Sequence, residues 1–181
     1  MRKSLIILGI LNDSDLEWML ANGERKFCQP GDSVIRQGEH SGAICFLIDG
    51  AFEVQIEKPV KKVVTVLYPG EIVGEISLLD SRPPVASVVA QKDSLVLAIG
   101  NDALDAKMKV DIGFQARMYR ALGVFLAQRL RRTTLMMVAG NDDVLDEEAE
   151  ESLDEIDEEV LEQMDIAGRR FEMMAERVKG R

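Results

Sequence analysis

The residues that could do chemistry are concentrated between Pro69 and Ala90, in the run PGEIVGEISLLDSRPPVASVVA. A Gly-rich turn leads into Gly74-Glu75, and Ile76-Ser77-Leu78-Leu79 reads as a one-turn helix. Arg82, Pro83 and Pro84 form a loop, and Val85-Ala86-Ser87 begins a strand. A short helix whose free N–H groups face a loop can receive an anion. Glu75, as a first-turn acid, suits the positive end of that helix. The chemistry implied is binding, not bond making. The single histidine, His40, lies in a turn and cannot supply the clustered nitrogen ligands of a transition-metal site. No Ser-His-Asp arrangement can be built around it. Cys28 and Cys45 lack CxxC spacing and read as buried thiols in a reducing cytoplasm. No catalytic and no metal-ligating residue is expected.

These residues need a scaffold, and 181 residues suffice for one ordinary domain with an appendage. Hydrophobic content of 46% with 30% charged residues suits a soluble protein. The longest apolar run, Leu5 to Leu11, is too short to span a bilayer. Residues 141–181 carry 16 acidic and 5 basic side chains, a balance of −11; the net charge is −10, so residues 1–140 carry +1. Such a tail repels phosphates, which argues against a nucleic-acid partner.

Along the chain, Asp13 or Ser14 can cap a short helix to about Asn22, with Leu16, Met19 and Leu20 on one face. From Glu24 to Ile99 the pattern is short apolar runs separated by glycine turns. Asp49-Gly50 between two such runs is a hairpin signal. Phe52, Val54 and Ile56 alternate with Glu53, Gln55 and Glu57, as in a half-buried strand. About eight strands of this kind make a jelly roll. The fold expected is mainly β with α: a double-stranded β-helix barrel flanked by an N-terminal helix and long C-terminal helices.

Asn101 is a candidate cap for a helix to Met108, and residues 110–113 interrupt it. From Phe114 to Val138, Phe114, Met118, Ala121, Leu122, Phe125, Leu126, Leu130 and Met137 follow helical spacing, with Arg117, Arg120, Arg129, Arg131 and Arg132 between them. The stripe is longer than one small barrel covers, so a homodimer through residues 114–138 is expected, or a face packed on the barrel with solvated arginines. Residues 139–181 form an acidic tail beyond the 1–138 domain. Within it, Leu153, Ile156, Val160 and Met164, then Ile166, Phe171, Met174 and Val178, predict an amphipathic helix over 153–178, kinked near Gly168 and docked on something.

The order GDSVIRQGE, AICFLIDGAFEV and LYPGEIVGEISLLD resembles the layout of cyclic-nucleotide-binding domains, of the catabolite activator and protein kinase A regulatory type, over residues 5–138. The resemblance places Gly31, Gly38, Gly50 and Gly70 at tight turns. It implies a regulatory, non-enzymatic module of a bacterial, stand-alone kind, with no helix-turn-helix after the long helix and no other cofactor than a bound cyclic AMP or cyclic GMP. In the family, the short helix binds the cyclic phosphate, its Glu binds the ribose 2′-hydroxyl and a later Arg pairs with the phosphate. The matching positions here are Gly74, Glu75, Ile76, Ser77, Pro84, Val85, Ala86 and Ser87. Pro84 stands where the family has arginine, which removes a fixed charge and a planar donor fork. Arg82, two residues earlier, either swings in to replace it or stays solvated. The expectation is a cytoplasmic sensor with weak or absent ligand binding, relaying through its C-terminal helices. A ligand-independent adaptor, acting on an unknown protein partner through the tail, is the alternative. A cupin-type enzyme is disfavoured by the single histidine.

Overall fold

A computed structural model describes residues 5–57, 61–80, 82–139 and 158–180. Among these residues, eight strands form two four-stranded antiparallel sheets. They are β1 (Glu24–Cys28), β2 (Ser33–Ile35), β3 (Ala43–Asp49), β4 (Phe52–Ile56), β5 (Lys62–Leu67), β6 (Ile72–Val73), β7 (Ser87–Ala90) and β8 (Ser94–Gly100). One sheet runs β1-β8-β3-β6 and the other β2-β7-β4-β5. Helices α1 (Leu5–Ile10) and α2 (Asp13–Asn22) precede the strands, α3 (Glu75–Leu79) lies between β6 and β7, and α4 (Asn101–Val110), α5 (Ile112–Ala139) and α6 (Glu158–Lys179) follow β8.

The strand sequences follow from what covers each face. Between the sheets lie Cys45, Leu47, Phe52, Val54, Leu67, Val73, Val88, Ala90, Val96 and Ala98. The other face of the first sheet presents Ile44, Phe46, Ile48, Leu95, Leu97 and Ile99 to the helices. With both faces buried, β3 and β8 are continuous apolar runs. The second sheet is covered on one side only, and β4 alternates from Phe52 to Val54; a register shift between Val54 and Gln55 then leaves Gln55 buried and Ile56 half-buried, against the expected alternation. Cys28 and Cys45 are free and buried, and burial pushes the Cys45 thiol up to about 11.

Three local expectations are corrected. Asp49-Gly50 joins strands of different sheets and is no paired hairpin, because β3 pairs with β8 and β6 while β4 pairs with β5 and β7. The chain changes sheets at Gly50, against the Ser94 side chain, whose Oγ accepts a hydrogen bond from the Ala51 N–H at 3.1 Å. Asn12, not Asp13 or Ser14, caps α2, in a capping box with Asp15. Asn101 is the first residue of α4, not its cap; its Nδ2 donates to the Ser41 carbonyl across the loop.

The base of α5 is held firmly. Phe114, Met118, Ala121 and Leu122 are buried beneath α1 and α2. Arg117 donates to both carboxylate oxygens of buried Asp15, at 2.6 and 2.8 Å, so this arginine is not a solvated one. What the tail helix docks on is the chain's own N-terminal helices. Ala167, Phe171, Met174 and Val178 of α6 are buried in the same cluster as Ile7, Leu8 and Leu11. Arg170 donates to the carbonyls of Leu8 and Leu11, at the C-terminal end of α1, and to the Asp13 carboxylate. Arg177 pairs with Glu17 and Lys179 with Asp49. Ile166 is exposed and Ala167 takes its place on the buried face, while the helix runs on without a break through Gly168. The side chains of Leu153, Ile156, Val160, Met164 and Met137 lie outside the described residues.

Candidate functional site: the residues around α3

The loop from β6 into β7 carries α3 and is held close to β3. Gly74 precedes α3 with φ +89°, and a Cβ there would lie 2.3 Å from the Ala43 carbonyl oxygen. Only glycine therefore lets the chain turn into α3 this near the sheet. Glu75 follows at once, and its side chain is only 2% exposed.

Arg129 of α5 meets that carboxylate, its Nη1 donating to Glu75 Oε1 at 2.5 Å. Burial pushes the Glu75 carboxyl above its ordinary range, and the Arg129 charge and hydrogen bond offset this only in part. The Arg129 guanidinium also sits over the Phe125 ring, 6.0 Å from its centroid. The contact joins the loop to the long helix across 54 residues of sequence.

The remaining expected site residues divide. Ile76 and Val85 are exposed, and Ser77 is half-buried. Pro84 is half-buried, and its carbonyl accepts the Gly38 N–H at 2.9 Å, which pins the loop to the β2–β3 turn. Ala86 packs against the apolar layer between the sheets. Ser87 is fully buried; its hydroxyl donates to Glu57 Oε1 at 2.5 Å and accepts from the Gln37 N–H. Arg82 does not swing in. It is 86% exposed and bonded to Asp80 through Nε at 2.7 Å, and that contact holds the Asp80 carboxyl below its ordinary range.

Sequence reasoning missed Arg129 as part of this site. A signal for it exists: Met118, Leu122, Phe125 and Arg129 follow a 4-3-4 spacing along the covered face of α5. Leu130, assigned to that stripe by pattern, is instead 68% exposed.

The architecture agrees with comparisons to known proteins. Residues 25–111 match the family model of the cyclic nucleotide-binding domain. This part of the chain belongs to that domain family, whose jelly roll the two sheets form. A Pycsar effector protein of Xanthomonas perforans is 27% identical over 124 residues, 68% of this chain and 39% of that protein. A cAMP-dependent protein kinase regulatory subunit of Aspergillus fumigatus is 37% identical over 75 residues, 40% of this chain and 17% of the subunit. The chain thus spans well under half the length of these curated relatives. Among solved structures, the catabolite activator protein of Thermus thermophilus superposes with a TM-score of 0.59 at 26% identity, covering 69% of this chain and 58% of that one. Among the described residues, no helix is long and apolar enough to cross a membrane.

Proposed function

We propose that the chain is a non-enzymatic regulatory module that takes a cyclic nucleotide, cyclic AMP or cyclic GMP, beside α3 and relays its presence through α5. The observation that carries this reading is the Glu75–Arg129 contact. It makes the first residue of α3 and the distal half of α5 partners in one ion pair. A ribose hydroxyl that shared the Glu75 carboxylate would alter its pairing with Arg129 and with it the seat of α5. The module acts in the cytoplasm, and the exposed distal part of α5, including Leu130, is its surface for a second copy or a protein partner.

The ligand-independent adaptor is the second reading, favoured by Pro84 and by the outward course of Arg82. Calorimetric titration with cyclic AMP and cyclic GMP separates the two. Micromolar binding, with increased protection of α5 amides or their release, is expected of the sensor. No heat and no melting shift at millimolar nucleotide would leave the adaptor.

A further inference from the structure

We infer that Arg129 supplies the cationic partner of the ligand's phosphate that position 84 lacks, so that one guanidinium both completes the binding site and holds the distal half of α5. This inference rests on the sensor reading proposed above.

Three observations carry it. The β6–β7 loop brings no cation to the site: residue 84 is proline, and Arg82 is turned to solvent and bonded to Asp80. Arg129 alone among the described cations reaches the buried carboxylate at the start of α3. Its contact with Glu75 uses Nη1, and no acceptor among the described residues takes its Nε or Nη2. The side chain remains 43% exposed. A planar guanidinium can keep one carboxylate oxygen through one nitrogen and offer two parallel donors to an anion. The second carboxylate nearby, Glu57, is occupied by the Ser87 hydroxyl. A cyclic phosphate carries one negative charge and presents two exocyclic oxygens, which suits a single fork.

The arrangement differs from a cassette with its own arginine in one consequence. There the loop binds phosphate whatever the long helix does. Here the phosphate would be bound only while α5 lies against the loop, so affinity and helix position depend on the same side chain.

Titrations of cyclic AMP, cyclic GMP and adenosine into the full chain and its variants test this. Adenosine keeps the base and ribose and lacks the phosphate. For wild type, cyclic nucleotide should bind more tightly than adenosine. Arg129→Ala should weaken the cyclic nucleotide by about 10- to 100-fold, as for the loss of one charge-assisted bond, and leave adenosine nearly unchanged. Arg129→Lys should fall between, having charge without the fork. Pro84→Arg added to Arg129→Ala should recover most of the loss. Should Arg129→Ala unfold the chain by stranding Glu75, Arg129→Ala with Glu75→Gln removes both partners, and the ratio of cyclic nucleotide to adenosine affinity is still read. Cyclic nucleotide binding that survives Arg129→Ala undiminished overturns the inference and spares the sensor reading. Binding by Pro84→Arg but not by wild type also overturns it. No binding by either overturns the sensor reading and this inference together.

Discussion

The two halves of α5 are held in different ways. Its first half is an anchor: Phe114, Met118, Ala121 and Leu122 are buried, and Arg117 forks onto a buried Asp15. Its second half is a latch: Leu130 is exposed, and Arg129 meets Glu75 through one nitrogen. Burial of four apolar side chains outweighs a single half-exposed ion pair by several kcal/mol. The helix is therefore fixed where it meets α1 and α2 and adjustable where it meets α3. A ligand that bound at α3, as proposed, would act on the end that costs least to move.

Breaking the anchor should have the largest effect. Phe114 is fully buried and packs against Trp18 with the rings tilted at 60° and their centroids 5.4 Å apart. Phe114→Ala should cost about 3–5 kcal/mol of unfolding free energy in a urea titration. A loss under about 1 kcal/mol would mean that this end is no anchor. Next comes Arg117→Met, which strands Asp15 and removes a bidentate partner from the start of α2. A loss of about 2–3 kcal/mol is expected, below the figure for a fully buried pair because Arg117 is itself partly exposed.

The latch should report through pH more than through overall stability. Burial raises the folded-state Glu75 carboxyl above the ordinary value of 4.5. Its contribution to stability is then complete below that value and is lost as pH rises through the raised one. Glu75→Gln does not titrate and removes this slope. Wild type should lose stability relative to Glu75→Gln as pH rises above the ordinary carboxylate value of 4.5, read as the difference in urea midpoints at each pH. A constant difference would show that Arg129 already compensates the buried charge in full.

The anchor was far more legible than the latch, for physical reasons. Apolar spacing announces burial, so the stripe from Phe114 to Leu122 and the face of α6 from Phe171 to Val178 could be seen in the residues themselves. The eight strands were visible because glycine turns punctuate them and because the sheets differ in how many faces they bury. Pairing was less visible. Asp49-Gly50 has hairpin residues, yet its strands belong to different sheets, and local turn chemistry carries no information on a partner far along the chain. The identity of charge partners was least visible. Five arginines on α5 look alike in composition, and only the three-dimensional course of the helix brings Arg117 to Asp15 and Arg129 to Glu75. Likewise, nothing in the sequence marks Arg170 as the group that donates to the carbonyls at the end of α1.

The smallest expected effect tests where the anchor ends. Gly123 lies in α5 just beyond Leu122, on the exposed side, with open space where a Cβ would point. Glycine in a helix interior costs about 0.5–1 kcal/mol relative to alanine, largely through backbone freedom in the unfolded chain. Gly168 in α6 has equally open surroundings and sits within the anchoring layer, between Ala167 and Phe171. Gly168→Ala should therefore raise the global unfolding free energy by about 0.5–1 kcal/mol. If the distal half of α5 opens separately from the domain, Gly123→Ala should raise the global value by less and instead slow amide exchange in the turns that follow it. Equal global gains from the two substitutions would show one cooperative unit, and the distinction between anchor and latch would then concern ligand binding alone.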